Sequence, residues 1–173
     1  MTGLGKGLAL AAIQVALILS LGAKLLYDRA TQPRVWALVE TYDPDLPIRG
    51  RYLAESLRVP AEGFQYKEPG ENNAFERSVN EQTARLEIRD GKLIAKPDPN
   101  AAGRFYLHKN PDGSLVAISE DPVLIFIPEH AKVPALRPHE EMWVEVTLPK
   151  EGPPRPIRAG IKKDGQITPL TFQ

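Results

Sequence analysis

The residues of this chain whose chemistry is typical of a binding site are mainly arginines on stiff or turn-forming backbone. Two of them flank Gly50 and are followed by a tyrosine, and two more lie in the proline-rich segment GPPRPIR. Guanidinium groups fixed in this way suit the recognition of carboxylate or phosphate groups. The candidate binding residues are Arg49, Arg51, Tyr52, Glu129, Arg155 and Arg158.

A structural role for the same arginines is the favoured interpretation. Partly exposed ion pairs between arginine and a carboxylate contribute only about 0 to 1 kcal/mol each, and they need no ligand to explain them. The turn sequence YDPD and the segment that ends at residue 129 supply carboxylates for such pairs. The expected partners are Asp43, Asp45 and Glu129.

The residue patterns of common enzyme classes do not occur in the sequence. The chain has no cysteine, which excludes a thiolate nucleophile and a Cys-type zinc site. His130 and His139 are separated by a spacing that matches no established zinc motif, and no G-x-S-x-G elbow or glycine-rich phosphate loop is present. We therefore predict a non-enzymatic protein with no metal and no cofactor. The alternative is a small-anion-binding or hydrolytic domain that uses an Arg/Glu cleft.

Charge and proline content narrow the class of protein further. The 173 residues include 22 basic and 22 acidic side chains, a balance that lacks the basic surface typical of nucleic-acid binding. All 17 prolines lie at or beyond Pro33. Because proline breaks helix interiors, we expect strands and turns, with no long helix, after that residue. A chain of this length has room for one domain with a single core.

The segment between Lys6 and Lys24 holds 17 residues without a charge, GLALAAIQVALILSLGA. As a helix it would span roughly 25 Å, and residues 25–27 can extend it toward a hydrocarbon core of about 30 Å. We predict a retained membrane anchor over residues 1–27, a connector over 28–33, and contact with membrane lipid through this helix. A cleavable signal peptide is the main alternative, since small residues lie near residue 22. A buried core helix is the other, although such a helix would be amphipathic.

The orientation of the anchor is predicted from two opposing features. Lys6 alone precedes the helix, whereas Lys24, Arg29 and Arg34 follow it, so the positive-inside rule favours a cytoplasmic domain. An apolar run so close to the N-terminus, with its free amino group, is typical of a signal anchor. We therefore predict a single-pass protein of the bacterial inner membrane with its C-terminal domain in the periplasm. A cytoplasmic tethered domain stays open as an alternative.

Strand and turn patterns predict a mainly β fold for residues 34–173. Strands are expected over 34–43 and 50–59, with Glu55 as the one misfit on the apolar side of the second, and a loop over 60–83. Asp90-Gly91 predicts a hairpin in which Ile88 faces Leu93. Further reversals are expected at 110–113 and 163–165, and a strand pair from 122–129 and 141–149. The segment GPPRP at residues 152–156 is expected to be extended and to lie at an edge of the sheet.

These elements indicate a small antiparallel β-sandwich or barrel, preceded by a single N-terminal transmembrane helix. Strands recur at spacings of about 8 to 14 residues and are separated by Gly and Pro turns, which is the pattern of such folds.

The opening of this domain resembles the GDYXXLXY domain family of bacterial membrane-anchored proteins. Asp43-Pro44, Arg49, Gly50 and Tyr52 follow that family's layout, and so does Phe-Ile-Pro-Glu at 126–129. The namesake motif is altered at three positions. Arg51 replaces its Asp, Glu55 its Leu, and Leu57 its final Tyr.

The resemblance implies an extracytoplasmic β domain on one N-terminal anchor, beside a larger membrane protein, and it supplies no catalytic residues. Together with the residue patterns above, it leads to the functional prediction. We expect a membrane-tethered, non-enzymatic envelope domain that binds or supports a membrane protein partner, as an accessory subunit of a complex, and that does not bind nucleic acid.

Overall fold

One helix and ten strands make up most of the residues that the computed structural model describes, which are 3–41, 52–68, 80–128, 136–149 and 152–171. The chain divides into two units, residues 1–33 and 34–173. The first unit contains helix α1 (Gly3–Thr31). The strands of the second are β1 (Arg34–Thr41), β2 (Tyr52–Pro60), β3 (Glu81–Arg89), β4 (Lys92–Pro97), β5 (Arg104–Lys109), β6 (Leu115–Ser119), β7 (Val123–Phe126), β8 (Glu141–Thr147), β9 (Arg155–Lys163) and β10 (Gln166–Pro169).

Helix α1 is long and apolar enough to cross a membrane. Its apolar span runs for 24 residues from Gly5 to Asp28 with a mean hydropathy of 2.0, and none of the span is buried inside the protein. At 1.5 Å per residue this is about 36 Å, which exceeds a hydrocarbon core of about 30 Å. The exposure of the span contradicts the core-helix alternative. A cleavable signal sequence would share these properties, so retention of the helix stays a prediction.

The helix continues four residues beyond Tyr27 and ends at Thr31. The Thr31 hydroxyl donates a hydrogen bond to the carbonyl of Tyr27 at 2.8 Å, and the backbone N–H of Gln32 donates to the carbonyl of Asp28 at 2.9 Å. Pro33 disfavours helical backbone at the residue before it, which explains the end of the helix. Only residues 32 and 33 therefore separate α1 from β1.

The ten strands belong to one antiparallel sheet, which confirms the predicted mainly β, antiparallel fold. Their order is β10-β9-β8-β1-β2-β6-β5-β3-β4, and β7 also pairs with β2. The sheet curls so that β4 packs against β1 and β2. A single parallel bridge, from Ala61 to Ala95, joins β4 to the residue after β2. Because one bridge does not form a ladder, the sheet is open and sandwich-like and is not a closed barrel.

Alternating side chains along the strands form the core between the curled parts of the sheet. Val35, Ala37 and Val39 of β1 are buried, whereas the residues between them are only partly buried. Their partners on β8 continue the same layer, with Val146 opposite Val35 and Val144 opposite Ala37. The inner faces of these strands are therefore apolar, and their outer faces carry the polar and aromatic side chains.

The predicted hairpins occur in the predicted register. Ile88 pairs with Leu93 across the turn at Asp90 and Gly91, and both turn residues have positive φ angles, 50° and 73°. This is the backbone that favours Asp-Gly in a two-residue turn. The reversals at 110–113 and 163–165 likewise join β5 to β6 and β9 to β10. Pro156 of β9 pairs with Val146 of β8 beside a β-bulge. Strand β10 does not reach this part of β9, so Pro156 lies at an edge of the sheet, as expected.

Two expectations about the strands are wrong. Segments 122–129 and 141–149 do not pair with each other, because β7 pairs with β2 and β8 lies between β1 and β9. Strand β3 begins at Glu81, so residues 81–83 belong to the sheet and not to the preceding loop. The buried Asn80 fixes this start, since its side chain accepts from the Lys67 N–H at 3.0 Å and donates to the Lys67 carbonyl at 2.9 Å.

Candidate functional site

Three of the six predicted binding residues, and the carboxylates expected to pair with them, lie outside the described part of the chain. The structure describes Tyr52, Arg155 and Arg158. The undescribed candidates are Arg49, Arg51 and Glu129, and the undescribed partners also include Asp43 and Asp45. A cleft that contains all six binding residues therefore stays a prediction.

Arg158 is held in a structural contact on the outer face of the sheet. Trp36, Glu145 and Arg158 lie side by side on β1, β8 and β9. The Nε–H of Arg158 donates to Oε2 of the buried Glu145 at 2.8 Å, and its guanidinium lies 5.5 Å from the centre of the Trp36 ring. An ion pair of Arg158 was expected, and its described partner is Glu145 on the neighbouring strand, whereas the expected carboxylates at 43, 45 and 129 lie outside the described residues.

Gly160 makes room for this arrangement. A Cβ atom at residue 160 would lie 3.1 Å from Cη2 of Trp36 and 2.9 Å from Cγ2 of Ile167. Glycine therefore allows the indole ring of Trp36 to approach the backbone of β9 closely. This packing accounts for the position of Arg158 without a ligand.

The structure does not bring Tyr52 together with the two described arginines. Arg155 and Arg158 pair with residues of β8 that lie beside the first three residues of β1. Tyr52 extends past the pair formed by Thr41 and Glu55, at the other end of β1. The carbonyl of Arg155 accepts from the Thr147 hydroxyl at 3.4 Å.

Tyr52 instead belongs to an exposed apolar surface on β2 and β7, which we call the aromatic patch: Tyr52, Leu124 and Phe126. Tyr52 pairs directly with Phe126, their ring centres are 5.9 Å apart, and the rings meet edge to face at 76°. Exposure of the three side chains is 53%, 53% and 58%, in the same order. Three large apolar side chains that share one exposed surface are typical of a binding surface.

Strand β7 produces this patch because it is apolar on both faces. Val123 and Ile125 are buried in the core, whereas Leu124 and Phe126 point to the outside. A strand with two apolar faces is normally covered on both. Farther along the outer face of β2 lies the polar Arg58, which pairs with Glu40 and donates to Asn110 Oδ1 at 2.8 Å.

Glu55 lies on the opposite, inner face of β2 behind the patch. Its exposure is 2%, and its Oε2 has no hydrogen-bond partner among the described residues. Burial raises the pKa of the Glu55 carboxyl to about 7. Burial makes the charged form of a carboxyl costly, so a proton is retained at higher pH than usual. The sequence marked this residue as a misfit, but it was not among the predicted site residues.

Sequence reasoning missed Leu124 and Phe126 as binding residues. The run VLIFIP showed an apolar strand, and a fully buried strand has the same composition. Which face of such a strand is covered depends on distant parts of the chain. The local sequence therefore predicts the strand but does not indicate which of its faces is exposed.

The chain was compared with protein-family models, curated proteins and solved structures, and none of them matches. The resemblance to the GDYXXLXY domain family therefore stays a prediction. The features of the chain that bear on its function are the aromatic patch, the apolar helix and the buried carboxyl.

Proposed function

We propose that this protein is a membrane-tethered, non-enzymatic domain that binds an integral membrane protein of the bacterial envelope through its aromatic patch. The observation that carries the proposal is the exposure of Tyr52, Leu124 and Phe126 on a strand pair whose other face is already buried. Aromatic side chains are enriched at the centres of protein interfaces, because they bury a large area with few rotatable bonds.

The apolar helix supports a partner in or beside the membrane. It has the length and composition of a single membrane span, and it joins β1 through residues 32 and 33 alone. A domain tethered to a bilayer meets a membrane protein at a raised effective concentration, so a patch of moderate size is enough for a stable contact. In this role the chain is an accessory subunit of a membrane complex and catalyses no reaction.

The proposal places the β domain on the periplasmic side of the inner membrane, with the helix as a retained signal anchor. Lys24 and Arg29 in the last two turns of α1, together with Arg34 at the start of β1, favour the reverse orientation. A topology reporter fused after Gln173 separates the two: activity of a periplasmic reporter is expected, and activity of a cytoplasmic reporter alone would overturn the periplasmic assignment.

Purification of the full chain in mild detergent tests the proposed contact. We expect one membrane protein to accompany the wild type and to be lost from the double variant Leu124→Ser/Phe126→Ser. Lys92→Ser, a polar change at an exposed residue of β4, serves as the control and should retain the partner. Recovery of the wild type alone as a monomer in several mild detergents, or equal recovery of the partner with the double variant, would contradict the proposal.

A further inference from the structure

Glu55 is a carboxyl placed in the core at the strand pair that carries the aromatic patch. Its neighbours along β2 on the inner face, Leu53 and Leu57, are apolar, and it pairs across the ladder with the buried Val123 of β7. On β1 the nearest described inner side chain is Val39, which pairs with Leu57. The described side chains around the carboxyl are therefore apolar.

No described ionisable group lies beside Glu55 to balance its charge. Burial raises the pKa of the Glu55 carboxyl, and no charge of a described residue contributes to that shift. Arg58, on β2 itself, points to the outer face and pairs with Glu40 of β1. The other ionisable residues of the described strands that pack against β2 or β7, and of the turn between β6 and β7, are Arg34, Lys92, Lys96, Glu120, Asp121, Arg155, Arg158, Lys162 and Lys163.

Strand β7 is the element over Glu55 that is most easily displaced. It has four residues, and its described pairing is to β2 alone. Between β6 and β7 the ladder to β2 is interrupted, because Arg58 pairs with Ile118 whereas Glu55 pairs with Val123. The Leu57 N–H inside this gap donates instead to the Ser119 hydroxyl at 2.8 Å. The interruption allows β7 to move without disturbing β6.

We propose that Glu55 is a proton-controlled latch, which holds β7 and the aromatic patch in place when it is neutral and releases them when it is ionised. An ionised carboxylate needs water or a cation, and the separation of β7 from β2 admits water. Separation also parts Phe126 from Tyr52, since these residues are held together by the same ladder. The effect on partner binding rests on the proposed function, whereas the release of β7 does not.

Amide hydrogen exchange in the full chain, solubilised in detergent, tests the latch directly. Exchange of residues 123–126 is measured at pH 6 and pH 8.5 and corrected for the intrinsic pH dependence of amide exchange. We expect the corrected exchange at pH 8.5 to be faster by on the order of tenfold, because the ionised form favours the open state. Residues 93–95 of β4, which are buried elsewhere in the core, should show no such change.

Glu55→Gln keeps the shape of the side chain and removes its charge, so β7 should stay protected at both pH values. Asp121→Asn, an exposed change beside β7, should behave as the wild type. If Glu55→Gln does not fold, Glu55→Leu replaces it with the same expected result. Exchange of β7 that is independent of pH in the wild type, or equally pH-dependent in the Glu55 variant, would overturn the latch.

Partner capture at the same two pH values separates the latch from the proposed function. If both proposals hold, the wild type should capture the partner at pH 6 and less of it at pH 8.5. Glu55→Gln should capture equal amounts at both pH values. If β7 is released as expected but the patch variants retain the partner, the latch stands and the proposed function fails. If the partner depends on the patch but β7 exchange does not depend on pH, the proposed function stands and the latch fails.

Discussion

The ring of Tyr52 meets the ring of Phe126 edge to face on the outside of the domain, with 5.9 Å between the ring centres and more than half of each side chain exposed. The two residues are direct partners in the ladder between β2 and β7. An aromatic pair of this geometry contributes roughly 0.5 to 1.5 kcal/mol. The contact between the two rings therefore adds only modestly to the stability of the domain.

Phe126→Ala should destabilise the domain only slightly, by about 1 kcal/mol, because the side chain is exposed and loses mainly its contact with Tyr52. Phe105→Ala is the matched variant, since Phe105 is buried in the core at 3% exposure and its truncation should cost about 3 to 5 kcal/mol. Denaturant unfolding of the detergent-solubilised chain measures both. Equal losses would show that Phe126 has a structural role and would weaken the case for a binding surface.

Glu55 should make the protein less stable as the pH rises from about 4.5 to about 7. The carboxyl has a pKa of about 7 in the folded protein and an ordinary value of 4.5 in the unfolded chain, so between these pH values the folded state keeps the proton and the unfolded state loses it. The raised pKa stabilises the folded state by about 3 kcal/mol. This contribution is fully present below pH 4.5 and is lost as the pH rises through the folded-state pKa of about 7. Above pH 7 the carboxyl is ionised in both states, and the curve should level off.

Denaturant unfolding between pH 4 and 8.5 checks this pH dependence, with Glu55→Gln as the comparison. The variant should lack the fall in stability between pH 4.5 and 7. Glu87 and Asp112 have the opposite shift, since Lys96 and Ser114 respectively lower their pKa values, and their contribution is lost only at more acidic pH. A wild-type curve that rises or is flat over this range would show that Glu55 is not buried in its neutral form.

Arg158→Gln should leave anion binding unchanged, because the guanidinium is already engaged by Glu145 and Trp36. The side chain is half exposed, so we expect a loss of stability of at most about 1 kcal/mol. Titration of inorganic phosphate, followed by NMR shifts of the β9 amides, compares the variant with the wild type. Phosphate binding in the wild type that disappears in the variant would favour the small-anion-binding alternative.

Two arginines in the middle of α1 should prevent stable membrane insertion. Leu17→Arg and Leu19→Arg together oppose insertion by about 5 to 7 kcal/mol, whereas Leu25→Arg and Leu26→Arg lie near the end of the span, where the side chains reach the interface. After alkaline carbonate washing, the wild type and the second pair should stay in the membrane fraction with the full-length mass, and the first pair should not. A mass that lacks the helix would show that the segment is a cleaved signal, and release of the full-length wild type would show that the helix is not embedded in the membrane.

Local sequence predicted the parts of the fold that depend on short-range chemistry. Asp90-Gly91 fixes both a turn and a register, and so Ile88 could be placed opposite Leu93 before the sheet was known. The partner of β7 could not be predicted in this way. Its pairing with β2 joins Tyr52 to Phe126 over 74 positions, and nothing in either strand specifies the other.

The candidate site was predictable only in part for the same reason. Tyr52 was identified from its neighbours in sequence, and Glu55 was recognised as out of place on an apolar face. The patch requires the long-range pairing of β2 with β7, and the latch requires the interruption after Ser119 that separates β7 from β6. Both are properties of the assembled sheet.

Photo-crosslinking from residue 126 in intact membranes is the most direct test of the central claim that the patch binds a membrane protein. A photoreactive phenylalanine analogue at position 126 should give one discrete adduct with a membrane protein, and the same group at position 92 should not. Adducts with lipid alone, or the same adducts from both positions, would contradict the claim.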